Sequence, residues 1–411
     1  MNKERVIPQG YKDSPLGIIP KEWEVKRLGD YVTITSGESP SLYELRETGL
    51  YPYVKVEDLN NCSKYQIESR EYSNDTRNII PKGSIIFPKR GAAILNNKVR
   101  IAQTDILMDS NMMAITVKDS CLDYEFLYYT IIREQLYKIA DTSTIPQINN
   151  KHIIPYRFCL PLMDEQKNIV SLLITWDVAI EKQSKLIEKL TLRKRALMQQ
   201  LLTGKKRLPG FSEDWKEVKL GEFGTFFKGG GVPKDKIIGE GHKCLTYGDL
   251  YTKYDFVISD VQSYIDDETA NESTEIQYGD ICFAGSGETK EEIGKCATFI
   301  DGEYGYAGGD IIVYRAKGVN PITLSYILNS DNVIRQKSNM GQGHSVVHIY
   351  PYQLEKISIK LPPKEEQDAI ASILMKADKE IGLANEELTN LESQKRGLMQ
   401  QLLTGKKRVI G

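Results

Sequence analysis

A long stretch of this chain occurs twice, and the repeat limits what the chain can fold into. Residues 161–207 (PLMDEQKNIVSLLITWDVAIEKQSKLIEKLTLRKRALMQQLLTGKKR) align without a gap on residues 362–408 (PPKEEQDAIASILMKADKEIGLANEELTNLESQKRGLMQQLLTGKKR), and Leu197–Lys206 is identical to Leu398–Lys407. Apolar residues in both copies fall at alternating spacings of four and three. The first copy places Ile169, Leu173, Trp176, Ile180, Ile187, Leu190, Leu197 and Leu201 on one seam. The second places Ile370, Leu374, Ile381, Leu388, Leu391, Leu398 and Leu402 in the same register, and each seam is broken at the same point, by Lys194 and Lys395. Heptads sustained over this length predict long helices packed side by side as a coiled coil. Asp164 is positioned to cap the first helix, and Pro363 with Glu365 and Glu366 suits the start of the second. Gly204 and Gly405 stand where a left-handed terminating residue is wanted, each followed by Lys-Lys-Arg. In the order domain–helix–domain–helix the second helix must run back along the first. The expected fold is therefore α+β: two mostly-β domains separated by two long antiparallel coiled-coil helices, related by an internal pseudo-twofold repeat.

The predicted boundaries are a first domain at 1–160, a first helix at 161–207, a second domain at 208–361 and a second helix at 362–411. A chain of 411 residues exceeds what one core usually holds. The two domains also begin and end alike. Trp23-Glu-Val-Lys-Arg-Leu28-Gly29-Asp30 matches Trp215-Lys-Glu-Val-Lys-Leu220-Gly221-Glu222, and Ile148 to Pro161 parallels Ile349 to Pro362, each reading as an alternating strand-like run into the long helix. The middles differ.

Composition narrows the function. Hydrophobic residues make up 40% and charged residues 27%, as in an ordinary soluble protein. The first fifteen residues lack an apolar leader core, and no run approaches a membrane span, so a cytoplasmic protein is expected. The six cysteines form no CxxC pair, and free buried thiols are expected. Residues 208–361 carry 15 basic and 23 acidic side chains, whereas 161–207 carry 10 and 5. Such a chain is not one that coats DNA by charge alone, and a nucleic-acid role would require a partner.

The divergent middles place different polar loops after matching strands. Gly83–Phe87 reads as a strand followed by Lys89, Arg90 and a loop ending at Asn96, Asn97 and Lys98. Gly279–Phe283 reads as its counterpart, followed by Ser286 and Lys290. These residue types reach phosphates and base edges. Together with Lys55, Tyr247 and His344 they are the candidate DNA contacts. No catalytic or metal constellation is expected. Phe283-Ala-Gly285-Ser-Gly287 matches FxGxG of S-adenosylmethionine enzymes, but no Asp/Asn-Pro-Pro-Tyr accompanies it, and a glycine-rich turn is the plainer reading. Glu24-Val-Lys26 and Glu217-Val-Lys219 are common tripeptides. His344 and His348 have helical zinc spacing in a strand-like context.

Two variable domains alternating with two repeated helices, with Leu-Pro-x-x-x-x-Glu-Gln starts (Leu160–Gln166, Leu361–Gln367) and Leu-Leu-Thr-Gly ends, resemble the specificity (S) subunit of type I restriction–modification enzymes. The resemblance covers essentially the whole chain. It implies two target recognition domains, each reading one half of a bipartite site in double-stranded DNA. It also implies two methyltransferase (M) subunits docked on the helices and two restriction (R) subunits joining that core. The chain itself would be non-catalytic and hold no cofactor, with S-adenosylmethionine, ATP and Mg on the partner subunits. The alternative left open by the residues is a coiled-coil adaptor joining two β-rich protein-binding modules.

Overall fold

The computed structural model describes residues 7–142, 145–343 and 346–409. The chain divides into two compact units that are not consecutive in sequence. Unit 1 holds the residues up to Ser184 together with those from Glu386 onward, and unit 2 is Lys185–Asn385. Each unit therefore contains one domain, the first half of one long helix and the second half of the other.

Unit 1 is built on a five-stranded sheet: β1 (Val32–Ser36), β2 (Tyr65–Gln66), β3 (Ile85–Pro88), β4 (Arg100–Ala102) and β5 (Met112–Val117). Their order is β1-β5-β3-β4-β2, antiparallel except for the β2–β4 pair. After the sheet come helices α1 (Tyr124–Glu134) and α2 (Met163–Leu201). Unit 2 repeats the plan with β6 (Gly224–Lys228), β7 (Val257–Ile258), β8 (Ile281–Ala284), β9 (Cys296–Phe299) and β10 (Ile311–Ala316). The order is β6-β10-β8-β9-β7, again with one parallel pair, β7–β9. Helices α3 (Pro321–Leu328) and α4 (Lys364–Leu402) follow.

The central strands are apolar on both faces because both are covered. In β3, Ile85 and Phe87 point into the core that contains α1 and the long-helix ends, while Ile86 joins Ala102, Met112 and Ala114 on the other side. In β8, Ile281 and Phe283 face the helix side, and Cys282 and Ala284 face the opposite cluster. This is the period-two alternation of a strand, used twice over.

The two long helices each run 39 residues. Ile169 and Leu173 from the start of α2 share the unit 1 core with Met399, Leu402 and Leu403 from the end of α4. Leu201 and Leu202 share the unit 2 core with Ile370, Ala371 and Leu374. Within unit 1, Glu165 meets Arg408 and Asp177 meets Lys395. Within unit 2, Glu366 meets Arg207 and Asp378 meets Lys194. Rising numbers on one helix meet falling numbers on the other, so the helices are antiparallel. Every seam residue predicted from the heptads is buried or half-buried.

Two local expectations are corrected. α2 begins at Met163, which puts Asp164 inside the first turn rather than at the cap. The run from Ile148 to Pro161 is a strand only over Arg157–Leu160, preceded by a helical turn at Asn150–Ile153, and Ser358–Leu361 and Pro351–Leu354 repeat this. Asn149, whose amide bonds His152 Nδ1 at 3.1 Å, and Pro351 at the first helical position favour the turn. The expected terminators hold: Gly204 and Gly405 have φ of 68° and 71°. The Lys206 and Lys407 amides close back on the Gln200 and Gln401 carbonyls at 3.2 and 3.1 Å.

The shared Leu-Gly at each domain start sits where the chain closes on the segment that leaves the domain. Strand Glu24–Arg27 pairs with Arg157–Leu160, and Lys216–Lys219 pairs with Ser358–Leu361, joining each domain's start to its exit. The Gly29 amide bonds the Ile154 carbonyl at 3.2 Å and the Gly221 amide bonds that of Glu355 at 3.1 Å. A Cβ on Gly29 would lie 3.0 Å from the Ile154 Cα, so a larger residue requires the backbone to shift, while one on Gly221 would lie 3.2 Å from the Glu355 Cβ, a looser fit.

Candidate nucleic-acid interface

The loops matched in the sequence occupy the same seat in both units. Beyond β3, the Lys89 amide bonds the Asn111 carbonyl at 2.8 Å, the Ile148 amide bonds the Lys89 carbonyl at 2.9 Å, and Arg90 bridges to Gln147. Beyond β8, the Gly285 amide bonds the Asp310 carbonyl at 2.8 Å and the Ile349 amide bonds the Gly285 carbonyl at 3.0 Å. Ser286–Gly287 then pairs with Val347–His348. Each loop is thus laid against the segment that leads into the strand before a long helix, and the Asp141–Gln147 and Gln342–His348 bridges repeat as well.

The candidate side chains differ in how far the fold uses them. Arg90 is exposed and has no ion-pair partner among the described residues; Asn96 is also exposed. Lys89 is half-buried, and burial holds its ammonium below the ordinary lysine value against the pull of Asp109. Asn97 sits at φ 48°, donates to the Ile132 carbonyl at 3.0 Å and accepts from the Leu136 amide at 2.9 Å, so it ties the loop to the end of α1. Lys98 donates to Asn60 Oδ1 at 2.6 Å. Lys55 pairs with Glu71, with its ammonium 5.8 Å from the Tyr53 ring.

In unit 2, Ser286 is buried, and its hydroxyl lies 3.0 Å from His348 Nδ1. Lys290 is exposed, and Tyr247 is exposed at the start of the helix Tyr247–Thr252. His344 lies outside the described residues. The structure brings together Lys89, Arg90 and Gln147 in unit 1, and Ser286 and His348 in unit 2. Lys55, Asn97 and Lys98 make their contacts elsewhere in unit 1. Among the described residues no three potential metal ligands cluster. Gly285 is a bend between β8 and the short strand Ser286–Gly287, and both glycines stand in a crowded place. A Cβ on Gly285 would lie 2.9 Å from the Asp310 carbonyl oxygen, and one on Gly287 would lie 2.6 Å from the Tyr251 hydroxyl.

Sequence reasoning missed the groups that tie each domain to the long helices. Arg408 makes a two-pronged bond to Glu165 (2.6 and 2.9 Å), which also accepts from Trp23 Nε1 at 2.8 Å. Arg207 does the same to Glu366 (2.8 and 2.8 Å), which accepts from Trp215 Nε1 at 2.9 Å. The arginines of the Lys-Lys-Arg ends are thereby engaged within the protein. The glutamine of each Glu-Gln start has its own task. Gln166 accepts from the Asp123 amide at 2.8 Å and Gln367 from the Asn320 amide at 2.7 Å, fixing the residues that cap α1 and α3. The signal was present: Trp, Glu, Gln and Arg all stand at equivalent positions of the repeat.

Comparison with known proteins agrees with this layout. The family profile for the type I restriction modification DNA specificity domain matches twice, at residues 20–192 and 212–393. The type I restriction enzyme MjaVIII specificity subunit of Methanocaldococcus jannaschii is 26% identical, over 98% of each chain. The putative type I restriction enzyme MjaX specificity subunit of the same organism is 26% identical, over 98% of this chain and 97% of its own. In fold, the chain resembles the type I restriction–modification S subunit from M. genitalium, with a TM-score of 0.57 at 17% identity, covering 93% and 96% of the two chains. A second solved chain, from work on complex assembly and conformational transition of the type I R-M system, gives 0.60 at 17%, covering 95% and 99%. No helix among the described residues is long and apolar enough to cross a membrane. With both halves matched, the chain belongs to the type I restriction–modification DNA specificity family, whose specificity subunits recognise DNA targets and are not themselves catalytic.

Proposed function

We propose that the chain reads a bipartite DNA target, one half-site per unit, through the loops that follow β3 and β8. The observation that carries this reading is the pairing of one scaffold with two different loops. Strand order, loop seat and helix ties are the same in both units, while the side chains at the seat differ. A protein that must read two unrelated half-sites needs that combination, because base contacts specify while the rest only positions. The acidic balance of 208–361 argues that DNA is held with help. Methyltransferase subunits docked along α2 and α4, two of them, with two restriction subunits beyond, supply it. S-adenosylmethionine, ATP and Mg belong to those partners. The adaptor reading has no support left once both halves match a DNA specificity domain.

The test uses the chain assembled with its methyltransferase subunits and maps the methylated motif. Replacing Lys89 and Arg90 together with Ala relaxes one half of the motif, and Lys290→Ala relaxes the other. A lost base contact weakens discrimination by about 1–3 kcal/mol. Equal losses on both halves for either variant would overturn the reading.

A further inference from the structure

We infer that unit 2 contacts its DNA half-site through an aromatic face formed by His348, Tyr350 and Tyr352, where unit 1 uses amide and cationic side chains. The inference rests on the bipartite reading and extends it to residues that neither the repeat nor the loop chemistry singled out.

The three rings form a near-parallel series. The His348 and Tyr350 centroids are 6.5 Å apart with planes at 27°, and those of Tyr350 and Tyr352 are 6.0 Å apart at 11°. Tyr350 and Tyr352 are 44% and 51% exposed, a large amount of ring surface to leave in water. The Lys356 ammonium, 5.5 Å from the Tyr352 centroid, adds a positive charge at the end of the series. At the other end, Ser286 bonds His348 Nδ1, which fixes that ring and leaves Nε2 without a hydrogen-bond partner among the described residues. The face is therefore continuous with the loop after β8.

The equivalent positions in unit 1 identify the occupant. Gln147 bridges to Arg90 and Asp141 as His348 bridges to Ser286 and Gln342. The Asn149 amide bonds the side chain three residues on, as the Tyr350 amide does with Gln353. By the same register, Lys151 stands where Tyr352 does. One unit thus presents Gln147, Asn149 and Lys151, and the other presents His348, Tyr350 and Tyr352. A protein partner shared by both units would require like surfaces at like positions. Two different half-sites require unlike ones. Aromatic side chains meet thymine methyl groups and sugar faces, and their hydroxyls bond base acceptors, without drawing on net charge. That suits the unit with the acidic balance.

The experiment takes the full chain assembled with its methyltransferase subunits and compares Tyr350→Ala, Tyr352→Ala and the double variant with Tyr350→Phe. Both rings are exposed, and assembly is checked by size exclusion. Affinities for the mapped target and for single-base variants of each half-site are measured at two salt concentrations. The Ala variants are expected to lose about tenfold in discrimination, confined to the half-site that Lys89 and Arg90 do not read, with little change in the salt slope. Tyr350→Phe retains part of it. Unchanged DNA affinity and discrimination would overturn the inference, and so would loss of methyltransferase assembly, which would mark the face as a protein contact. The Lys89/Arg90 double variant, run beside these, separates the two claims. If it relaxes one half-site while the tyrosine variants relax none, only the aromatic face is wrong. If both sets act on the same half-site, the bipartite reading itself fails.

Discussion

Units 1 and 2 share the polar ties between their long-helix segments and differ in what each sheet and loop adds around them. On the helix side, Tyr129 donates to Asp177, which also pairs with Lys395; Tyr326 donates to Asp378, which pairs with Lys194. The Trp–Glu–Arg clasp repeats residue for residue. One sheet position farther out the chemistry changes. Lys64, just before β2, pairs with Glu125 at 2.6 Å and stands 3.6 Å from Asp177, whereas Phe256, just before β7, stacks on Tyr326 at 4.4 Å between centroids. The loop seats diverge further still. Ties between the two repeated helices stay alike because the helix sequence is alike, whereas a residue that the sheet adds to them, Lys64 near Asp177 or Phe256 against Lys194, can differ. Contacts to a variable ligand carry no such constraint.

The strongest way to break this comparison is to ask whether the helix ties are interchangeable. Residues 1–207 carry Glu165 and Asp177, the acceptors of unit 1, with Trp23 and Tyr129 that donate to them, and also Lys194 and Arg207, the donors that unit 2 uses. Lys194 and Arg207 match Lys395 and Arg408 in the repeat. A second copy of the fragment can therefore supply every tie that α4 gives to unit 1. Trp176, the bulkiest seam residue, stands level with Gly397 in the antiparallel register. Ala196 would take that place, and an added Cβ there meets nothing within 4 Å. Ile187 in place of Leu388 is a volume-conserving change, which cores tolerate. The 1–207 fragment is expected to be a homodimer by light scattering. With methyltransferase subunits it directs methylation to an interrupted palindrome. A folded fragment that stays monomeric at micromolar concentration would show that the two sets of ties are not equivalent.

Most of this framework was legible in the sequence because it is periodic. Heptads fix the seam, the gap-free repeat fixes the antiparallel return, and the glycines after each helix mark its end. The composition of the compact units was not legible, since each unit borrows half a helix from a distant part of the chain. Lys194 and Lys395 read as breaks in the seam because their carboxylate partners sit on the opposite helix. Asp164 reads as a cap but is the second residue of the helix. Gln166 reaches back to the Pro161 carbonyl at 2.9 Å, and the Gln166 amide bonds that of Leu162, starting the helix sooner. At the site, residue type alone could not separate Arg90, which is exposed, from Asn97, whose amide is consumed by α1. That distinction needs a carbonyl 35 residues away.

The clasp gives the next largest effect. Glu165 is almost fully buried and serves both Arg408 and Trp23. Glu165→Ala removes the common acceptor and leaves a charged donor and an indole N–H without it. Breaking a buried pair from one side costs about 3–5 kcal/mol, and roughly 3 is expected here because Arg408 is partly solvated. Glu366→Ala is expected to act in the same direction through Arg207 and Trp215. Hydrogen exchange should localise the first loss to unit 1, including the end of α4, and the second to unit 2. Spread of either loss evenly over both units would show that the units do not fold as separate cooperative bodies.

The smallest effect distinguishes the two polar centres. Asp177 has three partners, Lys395, Tyr129 and, at longer range, Lys64. Asp378 has Lys194 and Tyr326, with no second lysine in the place of Lys64, where Phe256 stands instead. The Lys194 ammonium lies 4.1 Å from the Phe256 ring centroid, so its removal also forfeits a cation–π contact. Lys395→Ala leaves Asp177 with Lys64 as a reserve cation. Lys194→Ala leaves Asp378 without one. A hydrogen bond to a charged group is worth about 1.5–3 kcal/mol, and Lys194→Ala is expected to lie at the upper end of that range and Lys395→Ala near or below the lower. Denaturant unfolding of the two variants measures the difference. Adding Lys64→Met to Lys395→Ala should then bring the loss in unit 1 up to that in unit 2. If it does not, and the double variant loses no more than the sum of the two single variants, Lys64 is not the reserve, and the centres differ for a reason that lies in the Phe256–Tyr326 stack.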